Sequence, residues 1–464
     1  MDRLSALDAE FLHLEDGTTH MHIAGMCVFE GEPPTEQQVV ALVESKLHRI
    51  PRYRQRVRRV PLELGRPVWV DDPRFRLEYH VRSTALPAPV DDEAVCRLMG
   101  RLMSAELDRN RPLWEVWIVH GLPADRWALV CKVHHCMVDG IAGVGLLEAL
   151  LDLDPDAPVA APEPWSPAPE PSAVGLVLDA WSGAIGDAAV QVAALPRALG
   201  DPLGAVRGAA DLGVGVVRLA ERLVPTRPNS LEGTVGPHRV WAHSSVTLPD
   251  VKRIRVELGG TVNDVVLAAV THGMRELLIH RGEDPADTVL RTLVPVSVRG
   301  ADAAGTPDNR VSAILYELPV GIEDPVERLR SVHDQMADLK RSHMAEAGDA
   351  VTTVGNLMPP MVVGTVTRTA MRVVESHPQR SMSTVTTNVP GPQFPLFCLG
   401  RRMTEYRPFV PIGPGLRVGT AILSYDGRLF FGVTGDLDTS PEVDVVARGI
   451  VEGIEVLLAA LPGE

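Results

Sequence analysis

Two adjacent histidines, His134 and His135, stand just before Asp139 and Gly140 in the stretch Val133-His134-His135-Cys136-Met137-Val138-Asp139-Gly140. An imidazole with an ordinary pKa of about 6.5 is mostly neutral at pH 7 and can accept a hydroxyl proton, so these residues suit general base catalysis. One histidine can face a substrate while its neighbour is fixed in the scaffold. Asp139 can brace the turn by accepting backbone N–H bonds or by pairing with an arginine. Other chemistries compete for the same residues. A satisfied buried histidine beside an N-capping aspartate would give the same spacing without catalysis. Zinc needs three or four convergent ligands, and no His or Cys cluster at metal spacing accompanies the pair, so no metal is expected. Cys136 is read as a small packing residue, because a sequence neighbour seldom reaches the adjacent histidine with the geometry a nucleophile needs.

The elements around the pair must place it at a break. Trp127 to Val133 is an apolar run that predicts a buried strand, whereas Ile141, Val144, Leu147, Leu150 and Leu151 recur near helical spacing. The motif therefore sits where a strand gives way to a helix. Further along, Val262, Val266, Ala269, Val270, Gly273 and Leu277 predict a helix, with Asn263 placed to cap it and Gly282 to end it. Leu290 to Val298 and Val311 to Leu318 read as strands, and Leu329, Val332, Met336 and Leu339 mark another helix. Asp426-Gly427 between two apolar runs predicts a hairpin, and a helical pattern runs from Val443 to Leu461.

His134-His135-x-x-x-Asp139-Gly140 preceded by Pro112-Leu113-Trp114-Glu115 resembles the bacterial wax ester synthase/acyl-CoA:diacylglycerol acyltransferase family, in particular its actinobacterial triacylglycerol synthases. The likeness extends to Leu7-Asp8-Ala9-Glu10-Phe11-Leu12 with His20 and His22, Val262-Asn263-Asp264-Val265, Leu293 to Arg299, Asn388-Val-Pro-Gly-Pro392 and Ser424-Tyr425-Asp426-Gly427. It implies an α/β fold of two lobes, like chloramphenicol acetyltransferase and condensation domains, with a channel between them. It also implies that His135 is the base. Asn263 and Asp264 then have two roles open to them, capping a helix or facing the channel, since helix starts also collect anions and carbonyl dipoles. Thr386, Thr387 and Asn388 end a β-rich segment, Met382 to Val389, at a rigid turn. They read either as a strand terminator or as a source of a hydroxyl or amide near an oxyanion. Trp114 is expected in the channel wall beside the histidine strand, with its indole N–H satisfied.

Composition fits such an enzyme. The chain has 464 residues, 45% of them hydrophobic, enough for two lobes. Its formal net charge of −15 argues against a nucleic-acid partner. A local basic run, Arg49, Arg52, Arg54, Arg56, Arg58 and Arg59, lies in an apparently extended segment. It reads as a solvated strand face, or as a site for CoA phosphates or anionic lipid headgroups. Five widely spaced cysteines and an N-terminus without signal-peptide features point to a cytoplasmic protein. No clean apolar run reaches the roughly 18 residues of a spanning helix, the nearest being Val351 to Thr367. Seven prolines between Asp154 and Ser172 mark a semi-rigid connector, which divides the chain into a first lobe at 1–153, a connector and helical crossover at 154–239, and a second lobe at 240–464. Within the crossover, helices are expected to break at Pro196 and Pro202, and the amphipathic stretch Ala209 to Val224 suits a lobe interface better than a membrane.

The resulting expectation is an O-acyltransferase that moves a long-chain acyl group from acyl-CoA to diacylglycerol by direct attack, with no cofactor. It would work at the inner membrane face or a lipid-droplet surface. Wax ester synthesis from fatty alcohols, and a non-catalytic lipid-binding or droplet-associated role, are the alternatives.

Overall fold

The computed structural model of the protein describes residues 2–88, 90–137, 144–182, 227–297, 311–341 and 382–462. In the first part of the chain the strands are β1 (His22–Glu30), β2 (Gln55–Arg58), β3 (Val68–Asp71), β4 (Val81–Ala85), β5 (Trp114–Leu122) and β6 (Arg126–His134). Then follow β7 (Arg239–Thr247), β8 (Leu290–Ser297), β9 (Val311–Leu318), β10 (Thr384–Val389), β11 (Phe397–Cys398), β12 (Arg401–Phe409), β13 (Val418–Tyr425) and β14 (Arg428–Asp436). They form two six-stranded sheets, ordered β11-β12-β1-β6-β5-β4 and β7-β14-β13-β10-β8-β9, with β2 and β3 as a separate ribbon.

The histidine strand is central to the first sheet and covered on both faces. On one face Leu129 and Trp127 join a core containing Phe29, Trp114 and Leu42. On the other, Ala128 and Val130 meet Val95, Met99 and Met103 of the helix Asp92–Ser104. This two-sided burial explains why β6 reads as a continuous apolar run instead of alternating. Its interior charge, Lys132, is fully buried and donates to the carbonyls of Leu102 and Ala105, where the same helix ends. A cation at a helix C-terminus satisfies orphan carbonyls and meets the negative end of the dipole. Burial nevertheless pushes its pKa down to about 8.

In the second lobe the helices Val262–His280 and Val443–Ala459 pack together against the sheet, with Leu277, Met274, Ile450 and Ile454 buried between the layers. The cap of the first of these corrects the sequence expectation. Thr261, in extended backbone, is the N-cap, and Asp264 completes a capping box by accepting the Thr261 N–H at 2.8 Å. Asn263 is already inside the first turn, so its side chain is free for another task. Gly282 does end the helix, with φ +73°. The Asp426-Gly427 turn joins β13 to β14 with Tyr425 opposite Arg428, and both turn residues have positive φ, 42° and 80°. That geometry is the type I′ turn that Asp-Gly favours.

Two features depart from the sequence reading. The arginine run is extended only over Gln55–Arg58, because Leu47–Arg49 and Pro51–Arg54 form 3₁₀ turns, the second started by proline's fixed φ. And although β11 and β12 lie within 240–464, their backbone joins the first sheet, β12 pairing with β1 from Ala24↔Phe409 to Phe29↔Met403. Where β12 leaves that sheet it meets the second. Trp241 Nε1 donates to Pro408 O at 3.2 Å, and a Cβ on Gly432 would lie 1.7 Å from the same oxygen. Only glycine allows this crossing.

The connector from 154 to 172 is extended and exposed. Trp165 lies under the Arg54 guanidinium at 5.0 Å, and Glu170 reaches Arg56 at 2.8 Å and Arg58 at 3.3 Å. Helical residues 173–182 follow, packing Leu176 and Ala180 on Val60, Val68 and Val70. The expected breaks at Pro196 and Pro202, the stretch from Ala209 to Val224 and the run from Val351 to Thr367 lie outside the described residues.

Candidate active site

His134 ends β6, and His135 opens a 3₁₀ turn, His135–Met137. Backbone bonds hold both in place: His134 N–H donates to Leu113 O at 2.9 Å, and His135 N–H to Met21 O at 2.8 Å. The two rings have different surroundings. His134 is wholly buried, and its Nδ1 accepts the Cys136 N–H at 3.1 Å. That bond puts the proton of the neutral ring on Nε2, which lies 3.4 Å from Glu15 Oε2. His135 is only partly buried and stacks on Phe11, with ring centroids 4.0 Å apart. Its Nδ1 is buried without an aligned hydrogen-bond partner among the described residues. Burial pushes its pKa down to about 4, with a weaker upward pull from its own backbone and a further lowering from His134. At pH 7 the ring is therefore a neutral base.

Glu15 was not singled out by the sequence, yet it gathers this side of the site. Its carboxylate accepts from Arg109 Nε at 3.0 Å and pairs with the Arg109 terminal nitrogen, and it lies 3.0 Å from His22 Nε2. The histidine contacts are close without being aligned as hydrogen bonds. Burial alone would raise the Glu15 pKa, but His134 and His22 outweigh it and hold the carboxyl well below its ordinary range. Burial pushes His22 down to about 3, so a neutral imidazole faces a carboxylate. The signal in the sequence is an acidic pair, Glu15-Asp16, just after the helix Ala6–Leu14 and shortly before His20 and His22.

Asp139 and Gly140 lie outside the described residues. Trp114 is fully buried: it stacks on His80 at 4.6 Å and donates from Nε1 to Tyr53 O at 2.8 Å. Its N–H is satisfied, but it presents no surface to a substrate, so the wall role gives way to support of the neighbouring histidine strand, where it sits opposite Val133.

A second group forms at the start of the helix Val262–His280. Asn388 Nδ2 donates to Asn263 Oδ1 at 3.1 Å, joining the end of β10 to the helix. Asp264 points into structure, capping its helix and contacting His333 Nδ1 at 2.8 Å. Thr386 is buried and its hydroxyl accepts from Thr292 at 2.9 Å, while Thr387 lies on the opposite face of the strand and is half-buried. Among the described residues, no hydrogen bond joins this group to the histidine pair. Also among the described residues, no group of three or more His, Cys, Asp or Glu is arranged to hold a metal, and no helix is long and apolar enough to cross a membrane.

The profile of the wax ester synthase/diacylglycerol acyltransferase catalytic domain matches residues 4–266, and that of the WS/DGAT C-terminal domain matches residues 308–457. The chain belongs to this family. Among wax ester synthase/diacylglycerol acyltransferase relatives, a probable diacylglycerol O-acyltransferase, tgs1, of Mycobacterium tuberculosis is 36% identical over 468 residues, covering 99% of this chain and 96% of that protein. A putative diacylglycerol O-acyltransferase of Mycobacterium bovis matches to the same extent, 36% over 99% and 96%. Among solved structures, the wax ester synthase/diacylglycerol acyltransferase of Marinobacter aquaeolei VT8 shares the fold, with a TM-score of 0.65 at 23% identity over 98% of each chain. So does the starter condensation domain of rhizomide synthetase RzmA, solved in complex with C8-CoA, with a TM-score of 0.57 at 15% identity over 99% of this chain and 95% of that one. The two-lobed α/β fold expected of the WS/DGAT family is thus the fold found.

Proposed function

We propose that this protein transfers a long-chain acyl group from acyl-CoA to diacylglycerol, giving triacylglycerol and CoA, with His135 as the base. The carrying observation is the contrast within the histidine pair. His134 is sealed and oriented between Cys136 and Glu15, whereas His135 is partly open and kept neutral. Burial of Nδ1 leaves Nε2 as the nitrogen that meets substrate. In this reading Nε2 takes the proton of the alcohol as its oxygen attacks the thioester carbonyl. The tetrahedral intermediate then expels the CoA thiolate, which recovers the proton from the imidazolium. General base action contributes about 10²–10⁴-fold, so positioning and oxyanion stabilisation supply the rest. The Asn263–Asn388 pair and the Thr387 hydroxyl are the donors suited to the oxyanion, and Thr386, fully buried, is less so. The chemistry uses no cofactor, and an acceptor dissolved in lipid calls for a protein working at a membrane or droplet surface.

Acyl-CoA turnover against diacylglycerol, monoacylglycerol and fatty alcohol tests this reading. Triacylglycerol should be the main product. Preference for the fatty alcohol would make the protein a wax ester synthase, and turnover of none would make it a lipid-binding member of the family.

A further inference from the structure

A cleft of about 240 Å³ is lined by Arg56, Arg58, Arg59 and Arg109 together with an apolar floor that includes Leu12 and Leu113. Four arginines on one cleft run against the chain's net charge of −15. Two of these arginines already hold an anion of the protein's own: Glu170 of the connector bridges Arg56 and Arg58. Arg56 still has a buried Nε without a hydrogen-bond partner, a donor left unused. The floor abuts the candidate site, since Leu113 O accepts the His134 N–H and Leu12 follows Phe11, which stacks on His135. Arg109 belongs to both, lining the cleft and pairing with Glu15.

Guanidinium groups present donors in a fork matched to phosphate oxygens, and a nearby apolar floor suits the body that carries the phosphates. We propose that this cleft binds the phosphate end of the acyl donor, the 3′-phosphate and pyrophosphate of a CoA thioester, with Glu170 occupying Arg56 and Arg58 until it is displaced. The proposal rests on the acyl-CoA reading above. An anionic phospholipid headgroup offers the same phosphate chemistry, so the test separates the two sources.

Calorimetric titration of the full-length protein with CoA, dephospho-CoA and 3′,5′-ADP should show binding that weakens about tenfold in Arg58→Gln/Arg59→Gln, a loss of roughly 1.4 kcal/mol. Both residues are exposed, and circular dichroism checks that the variant is folded. Glu170→Gln should act in the opposite direction and tighten binding. The ratio of KM for acyl-pantetheine to KM for acyl-CoA should fall toward one in the arginine variant. Vesicles of phosphatidylcholine with and without phosphatidylglycerol form the other arm. CoA binding that ignores the arginines overturns the proposal, and if vesicle binding falls instead, the phosphate belongs to lipid. Weaker binding in Glu170→Gln overturns the role given to Glu170. Arginine-dependent CoA binding without acyl transfer would defeat the acyltransferase reading and leave the cleft assignment standing. Acyl transfer with arginine-independent CoA binding would do the reverse.

Discussion

Replacing Glu15 by alanine should damage both stability and turnover, and glutamine should recover part of each. The Glu15 carboxylate is 7% exposed and meets Arg109, itself 37% exposed, together with His22 and His134, which are 1% and 0% exposed. Truncation removes a charge-assisted pair. Because Arg109 can turn to water, that part is closer to a surface pair, roughly 1 kcal/mol. The two imidazoles cannot turn to water, and because neither is aligned as a hydrogen bond to the carboxylate, losing it costs the pair together about 1–3 kcal/mol, the scale of one buried polar group left without a partner. The sum is roughly 2–4 kcal/mol for Glu15→Ala and about half that for Glu15→Gln, which keeps an acceptor oxygen and loses the charge. Since the carboxylate fixes the His134 ring and Arg109 rather than touching substrate, the loss in kcat follows from misplacement, about tenfold or more. Urea titration and initial-rate kinetics on the purified variants measure the two effects. A Glu15→Ala protein with native stability and native kcat would refute the positioning argument. Equal damage from alanine and glutamine would show that charge, not hydrogen bonding, is what the site requires.

His135→Ala should lower kcat at least about 10²-fold while leaving the urea midpoint near native, and near-native turnover would remove His135 as the base. Because burial holds His135 at about 4, kcat/KM should stay flat from pH 8 down to 5.5, and an acid limb centred at the ordinary histidine value would contradict its buried, neutral state. Stability should behave differently. His22 at about 3, and His135, His243 and His272 at about 4, stay neutral in the folded protein after the unfolded chain begins to take up protons. Stability present above pH 6.5 is therefore lost as pH falls toward 4, and denaturation midpoints independent of pH over that range would count against this assignment. For the second lobe, Asn263→Ala and Asn388→Ala should couple in a double-mutant kinetic cycle by about 0.5–1.5 kcal/mol, whereas simple additivity would separate their roles.

Local pattern carried most of what the sequence revealed. The strand before the histidines, the helix from Val262, the hairpin at Asp426-Gly427 and the C-terminal helix each depend on residues close in the chain, where periodicity and turn chemistry act. Glu15 depends on Arg109, 94 residues away, and neither has a local reason to be noticed. The cap on the helix Val262–His280 is ambiguous in the sequence because Thr261 and Asn263 are both good N-cap residues, and only the extended backbone at Thr261 decides between them. For Trp114 the sequence carries the need for a hydrogen-bond partner but not the depth, since an apolar strand start looks the same whether it lines a channel or a core.

Strand β12 comes from far down the chain but completes the sheet that holds the histidines, and this has consequences for biosynthesis. At about 5–20 residues per second, roughly 20–75 seconds separate the synthesis of β1 from that of β12. Through that interval β1, His22-Ile-Ala-Gly-Met-Cys-Val-Phe-Glu30, has no partner on its outer edge, and an apolar unpaired edge invites association with other chains. A nascent first lobe is thus a client for chaperones, and fragments ending before residue 401 should be recovered as aggregates. The finished protein gains the converse property: a protease that cuts the exposed connector between 154 and 172 severs the chain, but the two pieces should remain together on gel filtration, tied by the backbone ladder between β1 and β12.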